Sequence, residues 1–212
     1  MWHSAAIAYA DFRATYTVRS WVFGWLGRML AQVTFFTGAG AVFGRTEALA
    51  YLVIGNALMT CVMEAMMVVA STCWERDTGT LEPLCAAPAS IGWVFVGRSV
   101  QWPVSGSATS LVALFGLAPW FGVRWDLSQV GPVVLLTLVT AAATYCFGLL
   151  VGSFVLAVPG LRNIASNVAY LVMMAVCGVV TPLTTWPPTI QAFAQLLPLT
   201  HGLEAIRAVH DG

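Results

Sequence analysis

Long apolar runs separated by short polar turns dominate the chain. A transmembrane helix needs about 20 apolar residues, because each residue rises about 1.5 Å through about 30 Å of hydrocarbon. The pattern therefore predicts an all-α integral membrane protein in which a single domain, residues 1–212, forms a bundle of five transmembrane helices. The predicted spans are residues 21–43, 49–73, 94–120, 130–158 and 164–181.

Three segments outside these runs have patterns of their own. Residues 2–20 mix aromatic and charged side chains, which is typical of a helix lying in the membrane interface. Residues 74–89 form the densest charged cluster and must be a turn that lies in water between two spans. Residues 186–211 are only half apolar and are cut by Pro198, which predicts two short half-helices at the outer surface.

Composition supports a membrane protein. Of the 212 residues, 59% are hydrophobic and 8% are charged, against roughly 25% charged residues in soluble domains. The formal net charge is zero, which argues against a nucleic-acid partner. The five cysteines have no CxxC spacing, so no metal site is predicted.

The arginines predict the orientation. Loops rich in positive charge stay in the cytoplasm, and the arginines are more numerous on the side of the N-terminus. We therefore expect a multi-pass protein of the cell membrane whose N-terminus is cytoplasmic. Arg13, Arg19, Arg28, Arg76, Arg98 and Arg162 then lie inside, while Arg45, Arg124 and Arg207 lie outside.

Asn56 and Glu64 are the polar exceptions within the second span. A carboxyl group near the middle of a membrane costs several kcal/mol unless it is neutral, paired or in contact with water. The two residues are two helical turns apart, roughly on one face. They could line a translocation path or a dimer seam; alternatively, Glu64 is a protonated acid that is hydrogen-bonded between helices.

Motifs for other functions are missing from the sequence. It contains no GxxxxGK[ST], HExxH or GxSxG, so we expect no nucleotide site and no catalytic set in this chain. A membrane-embedded enzyme or enzyme scaffold would have to use Glu64 and Asn56. A stand-alone channel or carrier predicts internal repeats, and none is visible.

Two segments resemble the ABC type-2 export permeases, the drug- and lipid-exporting membrane subunits of ABC transporters. One is the charged turn, in which the resemblance rests on Glu75, Arg76, Gly79, Thr80, Leu81 and Glu82. The other is the C-terminal stretch, in which it rests on Trp186, Pro198, His201, Glu204 and Arg207. The family has a sixth span, which does not follow in this sequence.

The resemblance implies a mechanism. The turn would be a cytoplasmic coupling helix that docks onto an ABC ATPase, and the C-terminal stretch would form the outer half-helices. Two permeases, identical or paralogous, would pair in the lipid bilayer and export an amphipathic drug- or lipid-like substrate. No cofactor would bind to this chain, since ATP and Mg would be held by the partner ATPase.

Overall fold

The computed structural model describes residues 17–42, 48–77, 79, 82 and 90–212. These residues form helices and no strand, which confirms the all-α prediction. The longer helical segments are, in chain order, a π-helical segment Ser20–Leu26, α1 (Gly27–Val42), α2 (Leu49–Ala65), α3 (Met67–Asp77), α4 (Ile91–Ser99), α5 (Gln101–Val112), α6 (Leu127–Val155), α7 (Arg162–Val176), α8 (Pro188–Ala194) and α9 (Pro198–Asp211).

Three helical stretches are long and apolar enough to cross a membrane, judged by length and composition. They are Leu49–Thr72, Gly92–Phe121 and Leu127–Val155. They overlap the second, third and fourth predicted spans. In the region of the first predicted span, the π-helical segment and α1 together run from Ser20 to Val42.

The fifth predicted span, residues 164–181, is shorter in the structure. Helix α7 has 15 residues, which corresponds to about 22 Å at 1.5 Å per residue. It ends at Val176 because Gly178 has a φ of +83°, in the left-handed region that favours glycine. Residues 177–181 form turns and bends.

Local sequence determines the boundaries of the middle helices. Asp126 and Gln129 form a capping box, so α6 begins at Leu127 rather than at residue 130. Pro103 has no N–H to donate to the carbonyl of Ser99, and the long helix is interrupted at Val100, between α4 and α5.

Helix α2 and the first half of α3 form the centre of the bundle. The apolar window of Leu49–Thr72 is 89% buried, whereas that of Leu127–Val155 is 39% buried. A helix that is apolar on all sides is one that other helices surround. The polar side chains of α2 therefore face protein and not lipid.

Helices α1 and α2 run in opposite directions between the two ends of the bundle. Gln32 contacts Met63 while Gly40 lies against Leu52, so α1 and α2 are antiparallel. We call the end that holds the start of α2 and helices α8 and α9 the half-helix end. The opposite end, where α3 leads towards Gly79, is the turn end.

Candidate functional site

The turn end carries part of the predicted coupling segment. Glu75 and Arg76 belong to the backbone of α3, which continues the central helix without a loop. Gly79 is exposed and has a φ of +70°, which glycine adopts at little cost. Glu82 is exposed and helical, while Thr80 and Leu81 lie outside the described residues.

Helix α3 is attached to the helices beside it. A Cβ at Gly148 would lie 2.6 Å from Val68 Cγ1, and one at Gly152 would lie 3.4 Å from Thr72 Oγ1. This glycine pair of α6 therefore lets α3 approach closely. The hydroxyl of Ser166 in α7 donates to the carbonyl of Met66, at 3.0 Å. Helix α3 and the residue before it thus contact both α6 and α7.

Glu64 is completely buried between α2 and α5. Its Oε1 accepts a hydrogen bond of 2.6 Å from Thr109 Oγ1, whose distance to the carbonyl of Ser105 is 3.0 Å. Its Oε2 has no hydrogen-bond partner within the described part of the chain. Gly106 permits this close contact, because a Cβ there would lie 2.9 Å from the carbonyl of Cys61.

The π-helical segment and the start of α1 complete the surroundings of Glu64. Ser105 and Trp25 lie within interaction distance of its carboxyl group, and Arg28 interacts with it at longer range. The Arg28 guanidinium lies over the Trp25 ring, 4.9 Å from the centroid. Trp21 Nε1 donates to Ser105 Oγ at 3.1 Å.

Asn56 has separate hydrogen bonding. Its Nδ2 donates to the carbonyl of Leu52 in its own helix at 2.8 Å, and its buried Oδ1 has no partner among the described residues. The hydrogen bonds of the described residues thus do not connect Asn56 with Glu64. A polar seam that both residues share stays a prediction.

At the half-helix end, prolines delimit α8 and α9. Pro188 is the first residue of α8 and Pro198 the first of α9, a position at which the missing N–H costs nothing. The carbonyl of Trp186 accepts a hydrogen bond of 2.7 Å from Gln191 Nε2. His201 Nε2 lies 2.8 Å from the carbonyl of Gln195, and Glu204 is exposed.

Arg207 joins three parts of the chain. Its Nη1 donates to the carbonyl of Gly178 and its Nη2 to that of Tyr51, each at 2.9 Å. The Tyr51 hydroxyl also donates to the Gly178 carbonyl, at 2.6 Å. Burial lowers the pKa of the Arg207 guanidinium, while Tyr51, Asp211 and Glu204 raise it.

Sequence reasoning named Arg207 but missed Tyr51 and Gly178. The glycine lies just after an apolar run and four positions before Pro182, which signals a turn but no partner.

The part of the chain that the structure describes holds no group of three or more His, Cys, Asp or Glu that could bind an ion. It therefore gives no support for a metal centre.

Comparison with known proteins supports the resemblance on independent grounds. A family model described as ABC-2 type transporter matches residues 8–210, nearly the whole chain. No curated protein and no solved structure matches the chain significantly. The match confirms the family inferred from the turn and the half-helices. The chain belongs to the ABC-2 type transporter family and is a membrane permease subunit of an ABC transporter.

Proposed function

We propose that this permease exports an amphipathic drug- or lipid-like substrate from the cytoplasm, with energy from a separate ABC ATPase that binds the turn at residues 74–89. The N-terminus and the turn end face the cytoplasm, and the half-helix end faces outwards. ATP and Mg act on the partner ATPase.

One observation carries this proposal. Glu75 and Arg76, at the start of the segment that resembles a coupling turn, and the two helices that resemble outer half-helices lie at opposite ends of one bundle, and the central helix pair α2–α3 connects them. A permease driven from the cytoplasm needs this arrangement, because the force and the exit are on opposite sides of the membrane.

The contacts of α3 suggest how the force is distributed. ATP binding would bring two ATPases together and displace the turn. Helix α3 packs on Gly148 and Gly152 of α6, and Met66, just before α3, accepts a hydrogen bond from Ser166 of α7. The displacement would then move α6 and α7 in each of two permease copies or paralogues, and substrate would leave between them.

A charge reversal in the turn tests the coupling. Glu75→Lys should abolish ATP-dependent uptake of a fluorescent amphiphile into inside-out vesicles, because Glu75 is expected to pair with a basic group of the ATPase. The ATPase should also co-purify less well with this variant, although the permease still inserts. Arg124→Glu reverses a charge at the opposite end, on an exposed residue in the loop before α6, and should transport normally. Full transport by Glu75→Lys would refute the coupling.

A further inference from the structure

The residues around Glu64 have features of a ligand site. We call Trp21, Trp25, Arg28, Glu64, Ser105 and Thr109 the Glu64 cluster. It combines a buried carboxyl group, two indole rings and two hydroxyl groups from three segments that are distant in sequence.

The carboxyl group has unused hydrogen-bonding capacity. A carboxylate can accept about four hydrogen bonds; Oε1 accepts one from Thr109, and Ser105 and Trp25 lie within interaction distance of the group. Its Oε2 is buried with no partner in those residues. An oxygen left unpaired in a low-dielectric interior is costly, and a donor or a positive charge from a ligand would remove that cost.

The Trp25 ring already contacts a cation. Arg28 lies over its face, 4.9 Å from the centroid, a distance typical of cation–π pairs. Because Arg28 is exposed, it can move aside with little loss of packing. A ligand cation that took its place would lie between the indole and the carboxyl group.

The cluster lies close to the surface of the bundle. Trp21 and Trp25 are half-buried, whereas Phe23 and Gly24 beside them are exposed. Both tryptophans belong to the π-helical segment, and π-helical turns are less regular than α-helix and frequently occur at functional sites. Movement of this segment would open the cluster to the membrane.

We propose that the Glu64 cluster binds a lipophilic monocation, with the charge held by Glu64 and Trp25 and the apolar body against Trp21 and lipid. The assignment of this ligand as export substrate rests on the proposed function. Binding of the cation to the permease does not depend on the proposed export function and can be measured without an ATPase. A free small molecule and the amine of a lipid headgroup share this chemistry.

Direct binding to the full permease in nanodiscs tests the proposal. Tetraphenylphosphonium should bind saturably, whereas tetraphenylborate, similar in shape but of opposite charge, should not. Glu64→Gln keeps the side-chain shape and should weaken tetraphenylphosphonium binding roughly tenfold or more, because a desolvated charge partner is lost. Trp25→Leu should weaken it roughly threefold to tenfold, and Asp211→Asn should leave it unchanged.

The outcomes separate the hypotheses. Equal binding of the two tetraphenyl ions, or unchanged affinity in both cluster variants, would overturn the cation site. If tetraphenylphosphonium binds more weakly in nanodiscs that contain phosphatidylethanolamine than in nanodiscs of phosphatidylcholine, the lipid amine displaces it and the site is assigned to a lipid amine. Equal binding in the two kinds of nanodisc would assign the site to a free cation. Cation binding without ATP-dependent transport would preserve the site and contradict the proposed export function.

Discussion

The guanidinium of Arg207 lies on the aromatic ring of Tyr51, 156 positions earlier in the chain, with 3.3 Å between its Cζ and the ring centroid. The same group donates to the carbonyl of Tyr51 at the start of α2 and to that of Gly178 after α7. Arginine thereby combines a planar donor fork with stacking, which lysine cannot reproduce. The contact attaches α9 to the half-helix end of the bundle.

Arg207→Ala should loosen this end. Each lost hydrogen bond from a charged donor is worth about 1–3 kcal/mol, so the apparent unfolding temperature in detergent should fall and amide exchange in α9 should accelerate. Arg207→Lys should recover only part of the loss. Arg124→Ala, an exposed arginine in the loop before α6, is the control. Unchanged exchange in α9 of Arg207→Ala would contradict the attachment.

Gly202→Ala should destabilise the contact between α9 and α6. The added Cβ would clash with Thr140, whose Cγ2 would be 2.8 Å away, and overpacking of this kind costs about 1–3 kcal/mol. The double variant Gly202→Ala/Thr140→Ala removes the clashing atoms and should regain most of the stability. Thermal unfolding monitored by size-exclusion chromatography measures the stability of the single and the double variant. If the stability loss of the double variant equals the sum of the losses of the two single variants, the direct contact is refuted.

Gly148→Val should impair transport, because it disturbs the contact between α6 and α3. The larger side chain would force α6 away from Val68 of α3, since even a Cβ there would be 2.6 Å from its Cγ1. Gly131→Val, in the first turns of the same helix and with open space around it, is the matched control. ATP-dependent uptake in vesicles measures the effect. Equal uptake by the two variants would contradict a role of α6 in coupling.

Cysteines introduced at the two ends test the orientation. Gln195→Cys and Gly212→Cys should react with a membrane-impermeant maleimide added to intact cells, because the half-helix end is expected outside. Gly92→Cys, an exposed residue near the start of α4, should react only after permeabilisation. Each cysteine is introduced into a background in which the native cysteines are replaced. Labelling of either C-terminal position only from the cytoplasm would reverse the proposed orientation.

Features of the structure that have a local cause can be read from the sequence. Pro188 and Pro198 restrict their own backbone and that of the preceding residue, so the positions of two helix starts can be read from the sequence. Glu64 was recognisable because a charge in a long apolar run is rare. The missed start of α6 has a local cause as well, in the capping box that Asp126 forms with Gln129.

Partners that are distant in the chain could not be predicted. Thr109 is one of many hydroxyl-bearing residues, and only the tertiary packing selects it for Glu64 from 45 positions away. The hydroxyl of Tyr51 meets the Gly178 carbonyl across 127 positions. The interfacial helix at residues 2–20 lies almost entirely outside the described residues and stays a prediction.

The burial of the central helix has a consequence for the biosynthesis of this protein. Helix α2 leaves the ribosome before every helix that covers it except α1, and its Glu64 receives the Thr109 hydrogen bond only after 45 more residues have been added. A lone α2 in lipid would expose that carboxyl group to hydrocarbon at a cost of several kcal/mol. We therefore expect the insertion machinery to hold α2 until α5 has emerged, so that the two helices enter the membrane together.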